Sequence, residues 1–546
     1  MTEKAIQKGE TMPSKSVDVG SRKQLFIDEA FFAATRNVGL KMNPPEKTYE
    51  AAIEADEPWE SGGIGSGSVV QVGDGYRMYY DAFDDVWASG SSTELGVRLC
   101  MAVSRDGIRW EKPALGLVAF NGSTDNNIVF PEKGTGISSL SAIFRDTRPG
   151  IADDETFKGI FRWMPPGAPP SEISEWAFKS PDGLHWTPMS DKPAFRYSDT
   201  NHAVFWDERI GKYVVYMRYN SQPYYNAEGV VREGFRHGKP MVFANGAALM
   251  EGSVDGHDYC APDDGRIYTS MSYRKVGRYE LDDISFWAGP ENWGRTPPAT
   301  ALEFDELDSP GVDIDNCGAL KYPWADDVYL MFPAMNCHLP DPPIGIAHND
   351  AIFEIRLAAS RDGVRYHYPA SRGLYLPLGV RGEFDSGLVS MLPGSIVRNG
   401  SHLYQYYHAR DYALRHGVTR SELMKEGTYR PSVISRLVTR LDGFVSVDAP
   451  YEGGEFTTPP MTFEGNSLQL NVRTSFPGCV KVELLSDGRP AEGYKLDDAD
   501  PISGNFIDHT VTWNGRSDVS ALTGKPVRLR FVMWDAKLYA FQFMAS

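Results

Sequence analysis

The stretch SRDGIRW, Ser104 to Trp110, decides the fold, because versions of it recur along the chain. SPDGLHW occupies 180–186, SVDGHDY 253–259 and SRDGVRY 360–366. An Asp-Gly pair favours a tight turn in which glycine takes a positive φ and the aspartate bonds to nearby backbone. Strand-like apolar residues precede the copies at 104, 180 and 360. Each copy therefore predicts a structural β-hairpin tip whose Trp or Tyr folds back onto the sheet.

The spacing of the copies, at steps of tens of residues, is typical of propellers and other repeat folds. Between them the chain repeats an apolar strand, a charged turn, an aromatic strand and a second strand pair, in five units across roughly 60–430. Residues 221–275 are polar and Gly-rich, which predicts an insertion in the third unit. SVDGHDY is then a chance match, and Gly277 to Trp287 is the alternative outer strand pair.

After Arg440 the pattern alternates with period two, which is typical of a compact β-sandwich. We therefore predict an all-β chain with a flexible N-terminus at 1–20, a five-bladed β-propeller at 21–440 and a β-sandwich at 441–546. The N-terminal strand is expected to help close the propeller. Two domains also agree with a length of 546 residues, which exceeds what one core usually supports.

Charge and cysteine content exclude several classes of partner. The net charge of −18 argues against nucleic acid and anionic membranes. Five cysteines without a C-x-x-C spacing argue against a disulfide framework and a zinc site. The first twenty residues contain no apolar signal-peptide core, and no 18-residue apolar run occurs in the chain. We expect a cytoplasmic protein, with a processed secretory form as the open alternative.

Several motifs resemble one known superfamily. The S-x-D-G-x-x-W hairpins, an F-x-D-x-x-P segment (Phe144, Asp146 and Pro149) and the C-terminal sandwich resemble five-bladed β-propeller glycoside hydrolases of families 32, 43, 68, 117 and 130. The likeness is greatest to bacterial proteins with a family 32 N-terminal-like domain, and it spans about 25–545. It implies a carbohydrate substrate and a glycosidase activity.

The catalytic signatures of family 32 are only partly present. Its W-x-N-D-P-N-G motif corresponds to PWESGG with Glu60, its R-D-P motif to Arg145-Asp146-Thr147, and its E-C motif is absent. Cleavage of fructosides is therefore not implied by the resemblance.

The residues that open each innermost strand of a propeller converge at one end of its channel. Four of the five predicted starts carry a carboxylate, and glycosidic cleavage needs two facing carboxyl groups. The predicted catalytic residues, with individual roles unassigned, are Glu60, Asp315, Glu383 and Asp385. The predicted substrate-binding residues are Trp59, Asp146, Asp199, Asn201, His202, Asn316, His338, Arg381 and His408.

Two other functions fit the same pattern. A glycoside phosphorylase would need Arg or His side chains to hold phosphate, and Arg381, His338 and His408 are candidates. A non-catalytic sugar-binding propeller would have carboxylates that lie far apart or that Arg partners neutralise. We expect no cofactor, although hard oxygen ligands leave a structural Ca²⁺ in the channel open. A homo-oligomer is also open, and the sandwich either binds carbohydrate or only supports the propeller.

Overall fold

The computed structural model of the protein describes residues 16–84, 96–130, 137–165, 174–195, 198, 200–221, 231–236, 239–244, 247–251, 258–260, 267–270, 273–285, 298–303, 307–308, 312–338, 351–411 and 430–545. These residues form an all-β structure with short 3-10 turns at Glu29–Phe31, Pro58–Glu60, Asp153–Glu155 and Ser520–Leu522. No helix in these ranges is long and apolar enough to cross a membrane.

The first strands of the chain pair with its last ones. They are β1 (Val17–Gly20), β2 (Gln24–Leu25), β3 (Ala34–Arg36) and β4 (Gly39–Met42). All four join the C-terminal sheet, β1 in parallel and the others antiparallel. Part of the N-terminus predicted to be flexible is therefore a strand. The division at 21–440 and 441–546 stays a prediction, and the pairing places 17–42 with the C-terminal strands.

Three regular four-stranded blades follow the ring-closing strand β5 (Glu46–Ile53). The first contains β6 (Gly63–Val72), β7 (Gly75–Phe83), β8 (Val97–Ser104) and β9 (Ile128–Phe130). The second contains β10 (Ile137–Arg145), β11 (Phe157–Trp163), β12 (Ser174–Ser180) and β13 (Thr187–Pro188). The third begins with β14 (Ala203–Asp207) and β15 (Lys212–Ser221).

The predicted insertion interrupts the third blade and forms a separate five-stranded sheet. Its strands are β16 (Val231–Arg236), β17 (Lys239–Ala244), β18 (Ala247–Glu251), β19 (Asp258–Cys260) and β20 (Ile267–Ser270). The third blade then resumes with β21 (Tyr273–Leu281) and β22 (Ala299–Leu302). β21 supplies part of the outer pair predicted at 277–287. Most of SVDGHDY lies outside the described residues.

The predicted fourth and fifth blades are joined in one sheet. Their strands are β23 (Val312–Ile314), β24 (Leu320–Lys321), β25 (Tyr329–Met331), β26 (Ala334–His338), β27 (Ala351–Ile355), β28 (Ala358–Ser360), β29 (Leu388–Asn399), β30 (His402–Arg410) and β31 (Val433–Arg440). A parallel bridge between Phe353 and Leu388 links β27 to β29 in the order β23-β26-β27-β29-β30-β31-β5. β24, β25 and β28 form a small flanking sheet. Four blade sheets are thus seen in the described ranges, and the prediction of five separate blades is wrong.

The pairing of β31 with β5 confirms that an N-terminal strand helps to close the ring. Ile434 lies opposite Ile53, and Leu437 lies opposite Lys47. The inner strands β6, β10, β14 and β29, together with residues around β24, line a common central cavity of about 470 Å³.

The C-terminal strands form one eleven-stranded sheet with β1–β4. They are β32 (Val445–Ala449), β33 (Gly454–Thr457), β34 (Met461–Phe463), β35 (Ser467–Ser486), β36 (Arg489–Pro490), β37 (Asn505–Thr510) and β38 (Val527–Met544). The long strands β35 and β38 pair along almost their whole length. Inward side chains of these strands, among them Leu470 and Phe531, form a core together with Trp513 from the segment between them.

The Asp-Gly tips confirm the predicted hairpin turns and connect neighbouring blades. In the first copy, Ser104 Oγ accepts the Gly107 N–H at 2.9 Å, and Gly107 takes a φ of +72°. The copies at 180 and 360 repeat this hydrogen bond at the same distance. Tyr406 of β30 donates its hydroxyl to the Gly107 carbonyl at 2.6 Å, and Trp110 packs edge-to-face on Tyr406. The tip aromatic therefore packs on an adjacent blade.

Candidate functional site

Glu60, predicted to be catalytic, lies in a hydrogen-bonded network beside the first blade. Its side chain is buried, and its Oε2 accepts the Lys112 Nζ at 2.6 Å and the Asp56 and Glu57 N–H groups. Its Oε1 accepts the Tyr80 hydroxyl at 2.7 Å. Burial raises the pKa of Glu60, and Lys112 and these hydrogen bonds oppose that rise. Both carboxylate oxygens already have protein partners, which favours a structural role.

Trp59, predicted to stack on sugar, is fixed in the same network. Its indole Nε1 donates to Asn127 Oδ1 at 2.8 Å, and its ring packs edge-to-face on Phe120. Only 7% of the residue is exposed. These contacts leave little of the ring for a ligand.

Asp385 and Glu383 lie in the loop before β29; Asp385 has partners on β5 and β30, and Glu383 has a partner within the loop. Asp385 is buried, and its Oδ2 accepts the Lys47 Nζ at 2.7 Å and the Tyr407 hydroxyl at 3.2 Å. Glu383 Oε2 accepts the Val380 N–H at 2.7 Å. Arg381 is exposed in the same loop. These hydrogen bonds fix the loop ahead of the inner strand.

Asp315 is the one predicted catalytic carboxylate that lies among other charged groups near the channel. Its Oδ1 accepts Arg218 at 2.9 Å and Arg274 at 2.7 Å. Arg274 Nε also lies 3.6 Å from Asp313 Oδ2. Asn316 points away from them and donates to Ser390 Oγ at 3.1 Å. Two guanidinium groups thus pair with Asp315, which is the arrangement expected above for a non-catalytic sugar-binding propeller.

Asp146 lies at the other end of the second blade. It follows the last residue of β10, and its Oδ2 contacts Lys158 Nζ at 2.7 Å and the Tyr213 hydroxyl at 2.5 Å. His408 is buried in β30 with its Nε2 3.1 Å from the Ile64 carbonyl oxygen. Asp199 and the side chain of His338 lie outside the described residues.

Several polar groups lie together at the start of β10, and only some of them were predicted to belong to the site. Asn201 donates its amide to the Leu140 carbonyl at 3.1 Å, and the His202 N–H donates to the Ser141 carbonyl at 2.7 Å. Ser141 Oγ in turn donates to Glu175 Oε2 at 2.6 Å. Glu175, from β12, is fully buried, and its Oε1 also accepts the N–H of residue 198 at 3.2 Å. Hydrogen bonds of this kind stabilise an ionised carboxylate.

Asp81, from β7, approaches the same point from the first blade. Its Oδ1 accepts the Leu140 N–H at 2.8 Å, so Asp81 and Glu175 are bound to consecutive residues of β10. Burial raises the pKa of Asp81 to about 7, against the opposing effects of this hydrogen bond and of Arg162. A large fraction of Asp81 therefore carries a proton at neutral pH, whereas Glu175 is surrounded by donors.

His202 lies between this pair and the central cavity. Burial lowers the pKa of His202 to about 3, and the nearby Arg162 and Arg218 lower it too, so the imidazole is neutral at pH 7. Its Nε2 lies 3.8 Å from Glu175 Oε1, and its ring lines the cavity of about 470 Å³. Neither ring nitrogen has a hydrogen-bond partner within the described part of the chain. The imidazole of His202 is therefore a buried polar group that no described residue satisfies by a hydrogen bond.

The described ranges contain no group of three or more His, Cys, Asp or Glu side chains that could hold a metal ion. The expectation of no cofactor, with a structural Ca²⁺ in the channel left open, stays a prediction.

The residues missed from the sequence come from the strands that neighbour the inner strands. Each of these aromatic strands carries a polar residue near its end: Asp81, Arg162, Arg218 and Asn336, which were not predicted, and His408, which was. Because these strands run antiparallel to the inner strands, their ends lie beside the starts of the inner strands, as Ser390 lies opposite His408. A polar residue near the end of an aromatic strand is the sequence signal from which these residues could have been predicted.

Comparisons with known proteins give similarities of fold at low identity. No known family model matches the chain, and no curated protein matches it. A solved structure described as a glycoside hydrolase aligns with a TM-score of 0.40 and 14% identity over 72% of this chain and 92% of that one. An N-acetylgalactosamine deacetylase from F. plautii, in complex with blood group B trisaccharide, aligns with a TM-score of 0.41 and 13% identity over 74% and 96%. A family 43 arabinoxylan arabinofuranohydrolase from Bacillus subtilis aligns with a TM-score of 0.35 and 14% identity over 89% and 96%. Function is therefore inferred below from this chain's own residues.

Proposed function

We propose that this protein hydrolyses a glycosidic bond at the start of β10, with Asp81 as the proton donor and Glu175 as the ionised carboxylate. The proposal rests on one observation: the carboxyl groups of Asp81 and Glu175 are hydrogen-bonded to the adjacent residues Leu140 and Ser141. Glycosidic cleavage uses one protonated and one ionised carboxyl group, and environments that separate their pKa values assign the two roles.

The proton donor acts on the leaving group. Asp81 carries its proton at neutral pH because burial raises its pKa to about 7, which suits a general acid. As the bond to the anomeric carbon breaks, this proton passes to the departing glycosidic oxygen. Gly65 of the first inner strand leaves room beside the acid, because a Cβ there would lie 3.0 Å from that of Asp81.

The ionised carboxylate either stabilises the positive charge at the anomeric carbon while water attacks that carbon, or attacks it and is then displaced by water; in both cases water forms the new C–O bond and gives up one proton. Glu175 is kept in place by Ser141 Oγ and the N–H of residue 198. Neutral His202 and the ion-paired Asp315 complete the surroundings and are proposed to contact sugar hydroxyl groups. Glu60, Glu383 and Asp385 are proposed to hold the starts of the inner strands, on the contacts described above.

The test compares glycosides with good and poor leaving groups. We expect Asp81→Asn to lose at least 100-fold in kcat/KM on alkyl or sugar leaving groups, which need protonation, but much less on 2,4-dinitrophenyl glycosides. Glu175→Gln should lose activity on both. Asp106→Asn, in the exposed turn of the SRDGIRW stretch, is the matched control and should retain activity. Equal losses of Asp81→Asn on both substrate types would contradict the assigned role.

A glycoside phosphorylase is the second candidate, because two arginines converge on one carboxylate oxygen. Arg218 and Arg274 both contact Asp315 Oδ1, and a phosphate could take the place of that oxygen. Turnover that requires inorganic phosphate and releases a sugar phosphate would select this function over hydrolysis. Binding of sugar with no turnover under either condition would select a non-catalytic propeller.

A further inference from the structure

Three aromatic side chains are exposed near the bulge of the β35–β38 ladder in the C-terminal sheet. Tyr451 is 70% exposed, Phe476 102% and Trp534 38%. We call these three residues the aromatic tip. Most other aromatic side chains of this sheet are buried, among them Trp513 and Phe531. Exposed apolar side chains that cluster on a protein surface often mark a binding site.

Backbone contacts bring the three residues to the same place. The Asp535 N–H, next to Trp534, donates to the Pro450 carbonyl beside Tyr451 at 3.0 Å. Trp534 lies opposite Cys479 in the β35–β38 ladder, whose register shifts between 474 and 479. Phe476 lies within that bulge. The turn before β33, the bulge in β35 and the middle of β38 therefore meet at one surface.

Two residues beside the aromatic tip have uncommon backbone conformations. Asp535 takes a φ of +40°, an uncommon conformation for a residue with a side chain. Gly453 takes a φ of +83°, and a Cβ at this position would lie 2.5 Å from the indole Nε1 of Trp534. Glycine is thus needed for the indole to pack over this turn. Uncommon conformations that persist in a stable sheet indicate a selected surface rather than a loose end.

We propose that the aromatic tip binds uncharged sugar residues of a glycan, separately from the site in the propeller. Aromatic rings present a flat apolar face with a negative π surface, and the C–H face of a pyranose ring is a complementary partner. Two of the neighbouring charges are acidic, since Glu452 is exposed and Asp535 is partly exposed, and one is basic, Lys481, close to Cys479 opposite Trp534. Carboxylates accept hydrogen bonds from sugar hydroxyl groups and repel anionic glycans, which selects the uncharged class.

The proposal does not depend on hydrolysis by the propeller. None of the residues of the aromatic tip contacts Asp81, Glu175 or His202 in the described structure. Loss of glycan binding and loss of turnover can therefore be measured independently.

The test is affinity electrophoresis of the full chain in native gels that contain arabinoxylan, galactomannan or mixed-linkage β-glucan, with polygalacturonate as the charged comparison. We expect at least one uncharged polysaccharide to retard the wild type and polygalacturonate to leave its mobility unchanged. Tyr451→Ala and Trp534→Ala should each weaken that retardation about tenfold. Tyr49→Ala is the matched control, since Tyr49 is 57% exposed on β5, and it should migrate like the wild type.

Several results would overturn the proposal. They are retardation by none of the three uncharged polysaccharides, retardation by polygalacturonate alone, or equal retardation of wild type and Tyr451→Ala. Because Tyr451 is 70% exposed, its replacement should leave the thermal midpoint unchanged, so misfolding will not mimic lost binding. If Tyr451→Ala instead converts a dimer to a monomer in sedimentation without changing retardation, the aromatic tip is a contact between copies of the chain.

Discussion

Replacing Asp81 with asparagine should change how the stability of the protein depends on pH. Asparagine has nearly the same shape and can still accept the Leu140 N–H, but it cannot ionise. In the folded protein burial raises the pKa of Asp81 from 3.8 to about 7, so the protonated carboxyl is the favoured folded form. The stabilisation that comes from this protonated form is fully present below the pKa of Asp81 in the unfolded chain. It is lost as the pH rises through the folded-state pKa of about 7.

The size of the effect follows from the two pKa values. The interval from 3.8 to about 7, at about 1.4 kcal/mol per pH unit, corresponds to roughly 4 kcal/mol across the whole transition. Roughly 2 to 3 kcal/mol of this falls between pH 5 and pH 8. The Asp81→Asn variant should therefore gain that much stability relative to the wild type over this range.

The assay is urea unfolding at pH 5, 6, 7 and 8, followed by fluorescence. Asp106→Asn is the control, because hydrogen bonds from Ile108 and Arg109 lower the pKa of Asp106 and it stays ionised throughout this range. The free-energy difference between control and wild type should stay constant. If the difference between Asp81→Asn and wild type is equally constant, Asp81 is ionised across the range and cannot act as the acid.

Three further substitutions test the structural assignments. Lys112→Met should destabilise the protein by about 3 kcal/mol at pH 7, because it leaves Glu60 buried without its cation, and adding Glu60→Gln should recover part of the loss in urea unfolding. Gly67→Ala should lower stability by roughly 2 kcal/mol in the same assay, since the added Cβ would overlap the Tyr79 carbonyl oxygen. Asp207→Asn should be less stable than wild type at pH 7, and the difference should disappear in acid: the Lys321 and Tyr329 partners outweigh burial and lower the pKa of Asp207, so its contribution is lost as the pH falls through that lowered value.

The turns and strands of the propeller could be predicted because their signals are local. The Ser-x-Asp-Gly copies determine their own hydrogen bonds, and the structure confirms them at 104, 180 and 360. The joining of the last two predicted blades depends on a single bridge between Phe353 and Leu388, distant in sequence. The periodicity of apolar residues in the sequence gives no information about such a contact.

The candidate site could be predicted only in part because it depends on register across strands. The starts of the inner strands supplied Asn201, His202 and Asp315 as predictions, and of these His202 borders the central cavity. It also selected Glu60 and Asp385, whose buried lysine partners come from distant segments and are invisible in the local pattern. Asp81 and Glu175 were missed because they come from β7 of the first blade and from β12, the third strand of the second blade, and only contacts between blades and across strands bring them to β10.

The most direct test of the proposed reaction is the pH dependence of kcat/KM on a glycoside with a poor leaving group. A general acid with the pKa of Asp81 predicts activity that falls tenfold per pH unit above about pH 7, as the proton is lost. In Asp81→Asn the remaining activity should show no such alkaline decline. An alkaline limb that is unchanged in this variant, or a wild type that hydrolyses no glycoside at any pH, would contradict the proposed function.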